Sequence, residues 1–221
     1  MSPNLRFTPL LALGLLAGCG TGTTPEPATS PAAAGPGAQA QPAVGPVPSP
    51  DAQARAQAAM RDFSERLRGE LRASMTRDGA PAAVDFCHDQ APLIAEQVMQ
   101  EHGLRLGRVA VPGRHRNPGH VAAAWQAEVL ASFQSAVDRG AAPEAQLDVM
   151  RDALPEGVEL RMARGIRVEA ACLMCHGASI APAIAERLAH NYPEDRATGF
   201  REGDLRGLIW VEVPAKTEPT P

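Results

Sequence analysis

Two cysteines and a histidine stand together in the order Cys172-Leu173-Met174-Cys175-His176. Thiols with two residues between them can reach the vinyl groups on adjacent edges of a porphyrin, and the histidine that follows can turn its imidazole toward the iron. The motif therefore predicts one covalently attached haem c, with iron, bound through Cys172 and Cys175. His176 is the expected proximal iron ligand.

Two other chemistries use paired cysteines. A thiol redox pair needs no histidine and favours a thioredoxin-like setting, which the pattern around Cys172 does not show. A zinc site needs further cysteine or histidine ligands at paired spacing, and none stands near Cys175. Both alternatives are weaker than haem attachment.

The N-terminus has the pattern of an export signal. Arg6 precedes an apolar run, Phe7–Ala17, which is short for a membrane span of about 20 residues. The run ends in Leu16-Ala17-Gly18-Cys19, the bacterial lipoprotein pattern, in which cleavage precedes Cys19 and its thiol is lipidated. We therefore expect a membrane anchor through lipid on Cys19 and a location on the periplasmic side of a bacterial membrane, with Gly20 favouring the outer membrane.

Composition divides the rest of the chain. The segment after Cys19 is rich in Pro, Ala and Gly and has too few large apolar side chains to fold. The net charge of −4 gives no basic field for nucleic acid. The predicted organisation is a signal peptide over 1–18, a disordered tether over 19–50, a haem-binding domain over 51–214 and a tail over 215–221.

Hydrophobic periodicity predicts the elements of the domain. Helices are expected over Asp51–Thr76, after Pro81 to His102 with a kink or restart at Pro92, over Val121–Asp138 and over Ile180–Ala189. Strands are expected over Leu104–Val111 and Leu208–Val213, and a hairpin over Val158–Val168 that turns near Ala163–Gly165. Without regular βαβ alternation, this mixture indicates an α+β fold with an antiparallel sheet.

A second axial ligand of the iron is an open question from the residues alone. The candidates are Cys87, His88, His102, His115, His120, His190 and several methionines. Cys87 stands out because it is left unpaired in an oxidising compartment and lies on the apolar stripe of its predicted helix. Thiolate ligation would favour ferric iron.

Four ordered motifs carry a resemblance. They are Cys87-x-x-x-Ala91-Pro92-x-Ile94-Ala95; Arg116-Asn117-Pro118 with Trp125; Cys172-Leu173-x-x-His176-Gly177; and Tyr192-Pro193-x-Asp195-x-Ala197-x-Gly199-Phe200-x-x-Gly203-Asp204-x-Arg206-Gly207. From about Asp51 to Pro214 the chain resembles a family of exported single-haem c-type proteins, a domain of unknown function that also forms the extracytoplasmic sensing part of some bacterial signalling proteins.

The resemblance implies a PAS-like fold, an antiparallel sheet with flanking helices and a long N-terminal helix. It also implies a His/Cys axial pair, with His176 proximal and Cys87 distal. His120 and Gln126 stand where the family usually has Asn and often has Glu. Arg116 either binds a haem propionate or caps the third helix. Glycines 199, 203 and 207 are expected to shape turns before the last strand.

Three functions follow from these expectations. The first is a redox or small-ligand sensor, or an accessory haem protein, that acts on an unidentified redox or signalling partner. The alternative is a tethered single-haem cytochrome for electron transfer. An enzyme such as a peroxidase ranks last, because it needs an open distal site with an acid–base group. His88, the neighbour of Cys87, points about 100° away around the helix.

Overall fold

The helices follow the hydrophobic pattern of the chain. The computed structural model describes residues 50–216, so the expected signal peptide, Cys19, the tether before Pro50 and the tail after Lys216 lie outside the described residues. The helices are α1 (Pro50–Asp78), α2 (Ala80–Asp89), α3 (Ala91–His102), α4 (Ala124–Asp138), α5 (Leu173–His176) and α6 (Pro182–Asn191). Short 3-10 turns occupy Pro118–His120, Pro143–Ala145 and Ala170–Cys172.

The break between α2 and α3 confirms the restart expected at Pro92. Pro92 lies in the first turn of α3, where the missing N–H has no intrahelical partner in any case. Gln90 closes α2 by donating its backbone N–H to the Phe86 carbonyl at 2.8 Å. The chain therefore begins a new helix just after Cys87 rather than continuing the first.

An antiparallel sheet forms the centre of the described residues. Its strands are β1 (Arg105–Ala110), β2 (Leu147–Met150), β3 (Val158–Arg167) and β4 (Leu205–Pro214), in the order β1-β4-β3-β2. The chain's last strand, β4, is thus an inner strand of the sheet, paired with β1 and β3. The α+β, PAS-like architecture expected from the sequence is confirmed.

Helices cover both faces of the sheet. On one face, α1 and α3 pack against a core that includes Phe63, Val98, Met162 and Val211. On the other, α4 packs through Val129, Leu130 and Phe133 against Ala163 and Leu208. Alternation along each strand directs successive side chains to these two cores.

The prediction of a hairpin within Val158–Val168 is wrong. The segment is one strand, β3, which pairs with β4 along its length and with the shorter β2 on its other side. Gly165 is not a turn residue: the Pro143 carbonyl oxygen lies 2.1 Å from where its Cβ would stand. Close approach of two backbones, rather than a reversal of direction, accounts for this glycine.

Gly207 also differs from expectation. Gly199 and Gly203 adopt positive φ angles of 73° and 89° in the turns before β4, as predicted. Gly207 instead lies inside β4, where its Cβ would stand 2.0 Å from the Val109 carbonyl oxygen. It permits β4 to approach β1 rather than shaping a turn.

The two ends of the described chain lie side by side. Lys216 Nζ stands 3.8 Å from Asp51 Oδ2 at the start of α1, and Ala215 donates its N–H to the Gly157 carbonyl. Among residues 50–216, no helix is long and apolar enough to cross a membrane.

Candidate functional site

The Cys-x-x-Cys-His motif lies where two small hydrophobic clusters meet. Cys172 ends a 3-10 turn and packs beside Val168 and Phe200. Cys175 lies one helical turn later, in α5, and packs beside Val84 of α2 and Ile184 of α6. Both thiols are free and half-buried. The motif thus presents its two thiols to different parts of the surrounding structure, as attachment at two separated points requires.

Gly177 ends the motif because a side chain would not fit there. Its N–H donates to the Leu173 carbonyl at 2.8 Å, and the same oxygen lies 2.5 Å from where its Cβ would stand. The glycine therefore keeps the single turn of α5 closed directly after His176.

The orientation of His176 is fixed by a backbone contact. Its Nδ1 lies 2.8 Å from the Ala197 carbonyl oxygen, and because that oxygen can only accept, Nδ1 carries the proton and Nε2 keeps its lone pair. Burial lowers the pKa of His176 to about 3, with Arg116 and Arg206 adding to the effect. A neutral imidazole whose other nitrogen is held by a carbonyl is the form that ligates a metal.

Phe200 supports the histidine from the side. Its ring meets the His176 imidazole edge-on at 6.3 Å between centroids, and its N–H donates to the His176 carbonyl at 2.9 Å. Ala197 and Phe200 are almost fully buried. The segment from Ala197 to Phe200 therefore forms a wall that holds the imidazole.

The fold brings Cys87 to the same region as the motif. Burial raises the pKa of the Cys87 thiol; Arg108 and Arg116 counteract this rise, and the nearby Cys175 thiol adds to it. Val84, one turn earlier in α2, packs in the cluster that contains Cys175. Residues 87 and 175 are thus electrostatic neighbours despite their separation along the chain.

The other candidates for a second ligand have different surroundings. His88 is exposed, with Nδ1 2.6 Å from Asp89 Oδ1 and its ring edge-on to Tyr192. His102 lies 3.1 Å from Asp62 of α1, and His190 is exposed on α6. Burial, with help from Arg108 and Arg206, lowers the pKa of His120 to about 4. Among the methionines, Met60 and Met162 belong to the core, whereas Met174 is 42% exposed.

Arg116 ties the motif to the loop that follows α6. Its Nη2 donates to the Cys175 carbonyl at 2.5 Å and lies 3.2 Å from Asp195 Oδ2. It does not cap α4, where Gln126 Oε1 accepts the Ala123 N–H at 2.8 Å. Contact of Arg116 with a haem propionate stays a prediction.

Three further arginines surround the motif; Arg206 belongs to the fourth sequence motif, whereas Arg108 and Arg114 were not among the expected site residues. The Arg114 guanidinium carbon lies 3.4 Å from the centre of the Phe200 ring, and that of Arg206 lies 5.0 Å away. Arg108 lies 5.4 Å from the centre of the Phe63 ring. One sequence signal could have identified Arg108 as a site residue: it lies in β1 on the same strand face as buried Leu106.

A cleft opens beside these groups, lined by His88, Arg116, Asn117, Pro118, Asn191, Tyr192, Pro193 and Glu194. Burial raises the pKa of Tyr192 in its wall to about 12. Within residues 50–216, no three His, Cys, Asp or Glu side chains are grouped as ligands of a bare metal ion.

Comparison with known proteins gives two findings. The sequence profile of the Tll0287-like family matches residues 49–214 of this chain. The fold is similar to the crystal structure of the cyanobacterial heme-protein Tll0287, with a TM-score of 0.54 and 23% sequence identity, over 77% of this chain and 99% of that one. No match was found among curated proteins.

The structural likeness shows a shared fold, and the profile match covers the helices, the sheet and every motif residue from Cys87 to Arg206. The chain is therefore a member of the Tll0287-like family.

Proposed function

We propose that this protein carries one haem c, attached through Cys172 and Cys175, with His176 and Cys87 as the axial ligands. The observation that carries the proposal is the hydrogen bond between His176 Nδ1 and the Ala197 carbonyl, which leaves Nε2 available within the attachment motif. The structurally similar Tll0287 is described as a heme-protein, which supports the same assignment.

The residues of the site fit this cofactor. Two thiols stand at the required spacing, a neutral imidazole offers one nitrogen, and a third thiol lies close by on α2. When bound, the haem would supply one-electron chemistry. The protein residues would position it, exclude water and set its electrostatic surroundings.

The function that this ligand set supports best is a redox or small-ligand sensor, or an accessory haem protein. Two protein ligands leave no open position, so a small gas would bind only by displacing Cys87. A thiolate ligand also favours the ferric state, which suits a low-potential role.

Electron transfer is the second candidate, and Met174 favours it. This side chain lies inside the attachment motif and is 42% exposed. It offers apolar contact area next to the cofactor, where a transient redox partner would dock. A peroxidase role has less support, because exposed His88 is held by Asp89 instead of standing beside Cys87 as a free acid–base group.

The proposal is tested by electron paramagnetic resonance and absorption spectra of the ferric protein, produced in a host that matures c-type cytochromes. We expect a low-spin thiolate signature that is lost in Cys87→Ser and kept in His88→Gln, the matched control one residue away. An unchanged spectrum in Cys87→Ser would rule out Cys87 as a ligand.

Low potential and slow electron self-exchange would favour the sensor over the carrier. Fast exchange with a higher potential would favour the carrier. Binding of nitric oxide to the ferrous protein with loss of the thiolate signature would support ligand sensing, and its failure to bind would contradict ligand sensing.

We also propose that the protein is a lipoprotein anchored through Cys19 on the periplasmic side of a bacterial membrane. The support is the sequence Leu16-Ala17-Gly18-Cys19 after a short apolar run. Radiolabelled palmitate should enter the wild-type protein and not Cys19→Ser; equal labelling of both would contradict the proposal.

A further inference from the structure

The four arginines around the motif differ in the hydrogen bonds and ion pairs that their guanidinium groups make. Arg116 pairs with Asp195 and the Cys175 carbonyl through Nη2, whereas its buried Nε has no hydrogen-bond partner among the described residues. Arg114 donates from Nη2 to the Thr198 carbonyl at 2.7 Å. Arg206 donates only Nη1, to the Arg114 carbonyl at 3.1 Å. Arg108 is half-buried, with its guanidinium carbon 5.4 Å from the centre of the Phe63 ring, and it makes no side-chain hydrogen bond or ion pair among the residues that the structure describes.

Neither Arg108 nor Arg206 forms an ion pair with a carboxylate among the described residues. Asp195 interacts with Arg206 but pairs directly with Arg116. Burial, together with Arg116 and Arg108, lowers the pKa of Arg206 to about 10, and burial lowers the pKa of Arg108. A partly buried cation without a counter-charge is costly, so the two guanidinium groups are suited to binding an anion.

Both arginines are close enough to interact with His176. Arg206 reaches the histidine through Phe200, whose ring it faces on one side while the imidazole meets its edge. Arg108 also interacts electrostatically with Cys87 and Tyr192. Both guanidinium groups thus lie near His176, and Arg108 also lies near Cys87.

We infer that Arg108 and Arg206 bind the two propionate carboxylates of the haem, and that Arg116 instead braces the attachment motif. A guanidinium matches a carboxylate in shape and charge and can donate two parallel hydrogen bonds to it. The inference rests on the proposed function, since it requires haem in this site. It assigns a cofactor contact to two residues and gives Arg116 a positioning role.

The test uses the full chain matured with haem that is labelled only at its propionates. Growth on 5-aminolaevulinic acid carrying ¹³C in its carboxyl group places the label there, because the other carboxyl groups derived from it are lost during haem synthesis. Infrared difference spectra between ferric and ferrous protein then identify the labelled carboxylate bands. The variants are Arg108→Gln, Arg206→Gln and Arg116→Gln, with Arg105→Gln as the control on the same strand as Arg108.

We expect Arg108→Gln and Arg206→Gln each to shift a labelled band, and Arg105→Gln and Arg116→Gln to leave the bands in place. Each loss of a nearby positive charge should also favour the ferric over the ferrous protein by about tenfold. Where a glutamine variant does not mature, the lysine variant at the same position keeps the charge but loses the paired hydrogen bonds, and should still shift the band.

Labelled bands that stay unchanged in the Arg108 and Arg206 variants, or that move only in Arg116→Gln, would overturn the inference. In that case an intact thiolate signature and covalent haem in the wild-type protein would show that the proposed function stands without it. A wild-type chain that acquires no haem would overturn both.

Discussion

Asp195 connects two parts of the site through one carboxylate. Its Oδ2 lies 3.2 Å from Arg116 Nη2, and its Oδ1 accepts the Ala197 N–H at 2.8 Å. Arg116 in turn binds the Cys175 carbonyl, and the Ala197 carbonyl holds His176. The position of the attachment motif and the orientation of its histidine therefore depend on the same side chain.

Replacement of Asp195 by Asn should lower the free energy of unfolding by about 3 kcal/mol, because Arg116 would be left largely buried without its counter-charge. Urea unfolding of the haem-loaded protein measures this change. Glu194→Gln removes a charge from the exposed neighbouring residue and should have little effect. Equal stability of the two variants would contradict the role given to Asp195.

Single residues show which parts of the site could be predicted. Cys172, Cys175 and His176 are close in sequence, so their spacing alone indicates their chemistry. The pairing of Arg116 with Asp195 and the placement of Arg108 near Cys87 depend on how α2, β1 and the loop after α6 meet. No local pattern encodes such long-range placement. The sequence does contain one signal for Arg108, which is a charged residue on a strand face that is otherwise apolar.

At the scale of elements, the helices were predicted more accurately than the strands. The apolar stripe of α1 and the restart at Pro92 follow from local periodicity and from the geometry of proline. The short edge strand β2 is only partly buried, so it has little alternation to detect. Gly165 carried a turn signal in the sequence, but its real cause is the Pro143 backbone on a neighbouring segment.

Gly165→Ala should therefore destabilise the protein by about 2–3 kcal/mol, because the added methyl group overlaps the Pro143 carbonyl and forces β3 away from the turn at Pro143–Ala145. Chemical denaturation measures the change. Gly69→Ala is a matched control in α1, where a Cβ meets nothing within 4 Å, and should stabilise by about 0.5–1 kcal/mol. Similar effects of the two substitutions would contradict this account of Gly165.

At the scale of the whole molecule, acid stability depends on a contact between α1 and α3. Burial raises the pKa of Asp62, but hydrogen bonds from His102 and Arg66 outweigh this and leave the pKa below its ordinary value of 3.8. A carboxyl group whose pKa is lowered by folding contributes stability that is complete above the unfolded-state value. That contribution is lost as the pH falls through 3.8 toward the folded-state pKa.

Asp62→Asn should remove this contribution, so the variant should be less stable than the wild type by about 1 kcal/mol near pH 6. The difference should narrow between about pH 5 and pH 2. Unfolding free energies measured across this range test the prediction. Asp152→Asn, at an exposed position, should leave the pH profile unchanged, and a constant offset for Asp62→Asn at every pH would contradict the linkage.

The ion pair between Asp51 and Lys216 has a further consequence for how the domain can be used. A fold that the chain enters and leaves at one place can be inserted into a loop of another protein without spreading that loop apart. By the same geometry, a short linker between residues 216 and 51 would allow new termini to be opened at an exposed loop elsewhere. The domain is therefore suited to insertion into a surface loop of another protein.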